Sequence, residues 1–249
     1  MLPNFTPLQW SLAVLAAVGI GISKSGLPGI SLLHVVLFAQ LFPGLRSTGV
    51  VLPMLIAGDM GAVRLFRRDA QWPHVIRTLP PALVGVAVGW WVMGHLHGIR
   101  FESLIGGIIL ALAGLQAARD WRPEWWQTVP HSRGFAWTLG FVAGVTTMVA
   151  NAAGPVMGLY LLAVALPKDA FVGTAAWFFL FINLLKVPFS LQLGLITRDT
   201  LLFNAVLVPA IFAGLLLGRA VVRRLPQRWF DGLVLVFAVV AALRLLGVL

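Results

Sequence analysis

Apolar runs long enough to cross a bilayer, each needing about 20 residues, follow one another along this sequence from end to end. They can be drawn near 8–42, 45–66, 75–96, 101–118, 135–166, 170–193, 201–222 and 229–247. In lipid the backbone must satisfy its own polar groups, so runs of this length are expected to be helices. Charged residues make up only 10% of the chain, against roughly a quarter in soluble domains, which leaves no room for a separate soluble domain. The expected fold is an all-α polytopic membrane protein of about eight apolar helical segments. A formal net charge of +10 would suggest nucleic acid in a soluble chain. Here the basic residues sit mostly between the apolar runs, where the positive-inside rule accounts for them, and nucleic acid is not an expected partner. The absence of cysteine excludes disulfides, thiol catalysis and Cys-ligated metal. The start, Met1-Leu2-Pro3-Asn4-Phe5, lacks a basic n-region, so no cleaved signal peptide is expected.

One apolar run is interrupted in an unusual way. Gly19-Ile20-Gly21-Ile22-Ser23-Lys24-Ser25-Gly26-Leu27-Pro28-Gly29 combines helix-weakening glycines and a proline with a lysine. Broken backbone and a cation are each costly in lipid, and together they suggest an ion- or substrate-handling site. A second break falls at Asn151–Pro155.

The two breaks head two halves. Pro80, Gly85, Gly89, Leu96 and Glu102 match Pro209, Gly214, Gly218, Leu225 and Asp231 at one constant offset. The expected organisation is a first transmembrane repeat at 1–118, a cytoplasmic linker at 119–134 and a second repeat at 135–249, each repeat with four segments. If each overlong first segment is a hairpin re-entering its own face, the basic residues orient the chain. Arg64, Arg67, Arg68, Arg77, Arg119, Arg122, Arg133, Lys168, Arg219, Arg223, Arg224 and Arg228 then share one side. Only Arg46, Arg100, Arg198 and Arg244 fall on the other. That bias places the linker in the cytoplasm and makes the repeats inverted, as in many secondary transporters. Eight full crossings are the alternative. The Gly85/Gly89 and Gly214/Gly218 pairs, with Gly107, read as sites of close helix packing.

Full charges deep in apolar segments are Lys24, Asp59 and Lys186, and Asn183 stands in the second half where Asp59 stands in the first. Two lysines and one aspartate leave a cation uncompensated, which suits a small anion. Asp59 could neutralise a lysine or carry a proton. Helix N-termini at the breaks would add backbone N–H donors near Gly29 and Gly154. The substrate-binding candidates are Ser23, Lys24, Ser25, Gly26, Gly29, Asn151, Gly154, Asn183 and Lys186. His34, His74, His95, His97 and His131 are scattered, and no zinc-hydrolase, nucleophile-elbow or nucleotide-loop motif is present. No catalytic residue, metal or cofactor is expected, and the chain is not read as an enzyme.

Several stretches carry a family resemblance: Gly21-Ile22-Ser23-Lys24-Ser25-Gly26, then Ser47-Thr48-Gly49 with Leu52-Pro53 and Asp59. Gly173-Thr174-Ala175-Ala176-Trp177-Phe178-Phe179, leading to Asn183 and Lys186-Val187-Pro188-Phe189, adds to them. With the two four-segment halves, the chain resembles the TauE/SafE family of sulfite and sulfonate exporters, also called the toluenesulfonate-uptake permease family. The resemblance implies secondary transport, without ATP, of a sulfur oxyanion, organosulfonate or organic acid. The chain departs from the commoner family pattern in having Ser-Lys-Ser at the first break and Asp59 where asparagine is usual. Expected partners are the small anion, the lipid bilayer of the cell (inner or plasma) membrane and, as one option, a second copy in a homodimer. The other readings are a flippase or enzyme acting on a lipid phosphate head group, and an anion channel.

Overall fold

The computed structural model describes residues 3, 5–27, 30–42, 46–95, 107, 110, 114 and 132–248. The segment near 101–118, most of the 119–134 linker, and Pro28 and Gly29 lie outside the described residues. Those that are described fold as helices joined by short turns: α1 (Pro7–Lys24), α2 (Ser31–Leu41), α3 (Arg46–Phe66) and α4 (Trp72–His95) in the first part of the chain. They continue as α5 (Arg133–Ala150), α6 (Ala153–Ala163), α7 (Lys168–Gln192), α8 (Arg198–Arg224) and α9 (Gln227–Leu245). Five of these stretches are long and apolar enough to cross a membrane: Pro7–Lys24, Ser47–Phe66, Trp72–Gly94, Lys168–Gln192 and Arg198–Arg224. They turn large apolar side chains such as Val206, Leu216 and Leu217 outward. An apolar exterior of that kind suits lipid and not water. The chain is a multi-pass membrane protein.

Local chemistry sets the helix ends. Thr6 and Gln9 close a capping box ahead of Pro7, and Thr197 with Thr200 does the same for α8. Ser132 accepts the Phe135 N–H at the start of α5. At the far end of α5, Asn151 takes a left-handed backbone with φ 51°, a conformation asparagine tolerates better than other side chains do. The chain then turns straight into α6. After α1, Gly26 takes φ +119°, and a Cβ there would also press on the Val172 side chain at 2.5 Å.

Aromatic contacts reveal how each short helix returns. The ring of Phe5, before α1, lies 5.6 Å from Phe42, after α2, and both touch Phe203 near the start of α8. So α1 and α2 form an antiparallel pair whose open end meets the start of α8. Phe135 at the start of α5 lies 6.0 Å from Tyr160 in α6, and Tyr160 shares a 2.8 Å hydrogen bond with His74 at the start of α4. That second pair opens at the opposite end of the bundle, because α3 and α7 run antiparallel between the two ends. Gly49 near the start of α3 packs on Leu195 just after α7, and Gly173 near the start of α7 packs on the Phe66 carbonyl at the end of α3.

Glycine stripes carry the two tightest helix seams. On α4, Gly85 would drive a Cβ into the Phe141 carbonyl, while Gly144 of α5 faces the Ala82 carbonyl. On α8, Gly214 faces the Val18 carbonyl of α1, and Gly218 faces Ser25. Small residues let the backbones close to this distance, which is how apolar helices associate where no hydrophobic force drives them together. Gly107 has no close neighbour among the described residues, so the packing role expected of it is not seen. One buried cluster joins α1, α2 and α3 to α8 through Ala13, Ala17, Phe38, Met54, Phe203 and Ile211. A larger one joins α4 to α5, α6, α7 and α9 through Val86, Ala143, Tyr160, Phe178 and Phe230.

Candidate functional site

The turns that end α1 and α5 lead into a buried space between α1, α2, α3, α5, α6 and α7. Lys24, in the last turn of α1, reaches α3 and places its ammonium 2.7 Å from Asp59 Oδ1. Asp59 is fully buried. Its other oxygen, Oδ2, accepts a 2.7 Å hydrogen bond from Asn183 Nδ2 of α7. The Lys24 ammonium also stands 4.5 Å from the centre of the Phe179 ring, at cation–π distance. A buried charge needs this much company, since an isolated one in an apolar interior costs several kcal/mol.

Lys186 is held differently. Its ammonium donates to the Thr147 carbonyl at 2.7 Å, to Thr147 Oγ1 at 3.1 Å and to Asn151 Oδ1 at 2.6 Å. All three acceptors are neutral. Asn151 Nδ2 in turn donates to the Thr48 carbonyl at 3.2 Å. The left-handed cap of α5 is thus tied both to the first turn of α3 and to the α7 lysine.

Between these two lysine clusters lies a cavity of about 30 Å³, enough for about two water molecules. Among the candidates, Ser23, Lys24, Asn151, Gly154 and Asn183 line it together, and Asp59 stands directly behind Lys24. Gly154 and Ala153 bring the first turn of α6 to the wall, and no side chain caps that turn. Its free N–H groups and the positive end of the helix dipole add to the lysine charge there. Lys186 does not line the cavity and acts on it through Thr147 and Asn151, which do. Ser25 stands apart: its hydroxyl donates to the Ile22 carbonyl at 2.7 Å, and it packs on Gly218. Gly26 lines a second cavity of about 20 Å³ with Phe171, Val172 and Ala175. Lys24, Ser23 and Phe179 separate the two spaces and belong to both linings. Gly29 lies outside the described residues.

Six wall residues had not been singled out as site residues from the sequence, among them Leu55 of α3 and Ala153 of α6. Ser31 and His34 of α2, Thr147 of α5 and Phe179 of α7 all face the first cavity. Phe179 and Thr147 are ordinary components of apolar helices, and nothing in their spacing marks them. Ser31 and His34 carry one signal, since they are three apart on a helix and so share a face.

No curated protein and no solved structure matches the chain. The description of the sulfite exporter TauE/SafE family does match it, over residues 13–245. That span takes in every residue that lines the cavity, and the chain belongs to the sulfite exporter TauE/SafE family.

Proposed function

We propose that the chain is a secondary transporter of a small anion, a sulfur oxyanion or organosulfonate/organic acid, working by alternating access. The observation that carries this reading is a charge count at one buried place: among the described residues, Lys24 and Lys186 stand against Asp59 alone, around a cavity that also receives the first turn of α6. An anion in that space would restore neutrality, and the family match supports the same class of cargo. In this reading Lys24 and the N–H groups of α6 hold the anion, Asn151 and Asn183 orient it, and Asp59 is the counter-ion. Lys186 supplies the second positive charge through Asn151.

The halves at 1–118 and 135–249 act as inverted repeats joined by a cytoplasmic linker at 119–134. Each is headed by a hairpin, α1–α2 or α5–α6, that re-enters from its own side of the membrane. The end of the bundle carrying Arg64, Arg67, Arg68, Arg77, Lys168, Arg223 and Arg224 faces the cytoplasm under the positive-inside rule, in the inner or plasma membrane. Movement of one hairpin-bearing group past the other would open the cavity to either side in turn. The second cavity, behind Lys24 and Phe179, is a route toward the arginine-rich end.

Flux in liposomes tests this. Wild-type protein should carry labelled sulfite or a small organosulfonate down its gradient without ATP. Lys24→Ala and Lys186→Ala should each lower the rate by about tenfold or more. Unchanged flux in both variants would remove the site assignment.

A further inference from the structure

Three polar side chains that line the first cavity have hydrogen-bonding atoms with no partner among the described residues: the Ser31 hydroxyl, both ring nitrogens of His34, and Asn183 Oδ1. His34 and Asn183 are each 1% exposed and Ser31 is 9%. Buried polar groups left unpaired are costly, and several of them turned toward one space call for an occupant. Ser31 and His34 come from the same face of α2, while Asn183 comes across from α7. The orientation of Asn183 is fixed by chemistry. Its Nδ2 must be the end that meets the Asp59 carboxylate, which only accepts, so Oδ1 is the atom left over.

The set contains both kinds of group. Lys24 on α1 lines the same space as His34, Asp59 on α3 pairs with that lysine, and Lys186 on α7 stands behind Thr147 and Asn151 in the opposite wall. In that company a third buried cation would have nothing to balance it, so the imidazole is neutral, with one N–H and one bare nitrogen. The donors facing the space are then Lys24, the Ser31 hydroxyl, the His34 N–H and the N–H groups of the first turn of α6. The acceptors are the bare His34 nitrogen and Asn183 Oδ1. A fully deprotonated oxyanion could satisfy only the donors and would set its own lone pairs against the acceptors. Charge points the same way, because one uncompensated lysine is balanced by one negative charge and overbalanced by two.

We propose that the site selects a small monoanion that still carries one acidic O–H. Ser31 and His34 hold its oxygens, and its proton is donated in a hydrogen bond to Asn183 Oδ1 or to the bare His34 nitrogen. No bond is made or broken, and the proton travels as part of the cargo. This rests on the transport reading above and narrows its substrate class to monoanions that keep an acidic O–H. Ser31 and His34 become binding residues that neither the motif reading nor the family match had marked.

The test uses the full chain in liposomes with equal pH on both sides. Labelled sulfite is supplied at one total concentration, through the pH range in which hydrogensulfite loses its proton. The initial rate should fall in step with the hydrogensulfite fraction as pH rises. Sulfate, a dianion, and methanesulfonate, a monoanion with no O–H, should compete at less than roughly a tenth of the strength of hydrogensulfite, because a buried polar site rejects analogues that leave its groups unpaired. His34→Gln keeps one donor and one acceptor but cannot titrate, so it should lower the rate and preserve the pH profile. His34→Leu and the smaller change Ser31→Ala should each cut the rate about tenfold, with melting in detergent used to check that both fold. A rate that follows the dianion, a profile flattened by His34→Gln, or equal competition by methanesulfonate would overturn the proposal. If no anion moves at all, the transport reading falls with it. If sulfate or methanesulfonate is carried as well as hydrogensulfite, the present proposal falls alone.

Discussion

Lys24 and Lys186 are both buried cations beside one cavity, yet they are stabilised by opposite means. Lys24 is matched charge for charge by Asp59 at 2.7 Å and retains 10% exposure of its side chain. Lys186 is deeper and has only neutral oxygens, two from Thr147 and one from Asn151. The first arrangement is a closed ion pair, so its loss should damage the fold. The second leaves a net charge in place, so its loss should damage function more than folding. The difference shows how one protein can keep a stable interior and still offer a single positive charge to a ligand.

Substitutions can break that contrast or sharpen it. The largest loss of stability is expected for Lys24→Met, which strands the Asp59 carboxylate at zero exposure and should cost about 3–5 kcal/mol in denaturant unfolding. A cost below about 1 kcal/mol would mean that Asp59 finds other compensation. Adding Asp59→Asn to Lys24→Met should recover about 2 kcal/mol or more while leaving flux lost, and a double-mutant cycle would measure that coupling. Lys186→Met should cost less, about 1–3 kcal/mol, because it removes an unbalanced charge along with its hydrogen bonds. If it proves more destabilising than Lys24→Met, the contrast is wrong. Asn151→Ala should be about 1 kcal/mol worse than Asn151→Gly, since only the backbone conformation at φ 51° separates them. The smallest effect, about 0.5 kcal/mol, is expected for Thr147→Val, which removes only the 3.1 Å bond to Lys186.

The sequence is most informative where a residue is out of place. Apolar runs announce a helical membrane protein, and Lys24, Asp59 and Lys186 stand out because lipid makes charge expensive. Which lysine pairs with Asp59 is not written in the spacing, because α1, α3 and α7 meet only in three dimensions. Ser25 shows the same limit from the other side. It is as polar as Ser23 and two residues away, yet it turns to its own helix and to Gly218, while Ser23 faces the cavity. Ser31 goes unmarked and His34 is read only as one of several scattered histidines, because a serine and a histidine in an apolar helix are unremarkable until a cavity is seen in front of them. The glycine pairs read correctly as contact stripes, but their partners do not follow from the stripes. Gly85 meets α5, and Gly214 meets α1.

Those last two contacts bear on how the chain is made. The seam of α1 is completed by α8, and the seam of α4 by α5, so each glycine stripe joins the early part of the chain to the late part. During synthesis α1 and α2 must therefore wait in the membrane, with Gly21 and Ala17 uncovered, until residues beyond 198 have been inserted. Assembly ends with a late return to the N-terminus, and a chain stopped after the first half would present its unclosed helix face to whatever the membrane supplies.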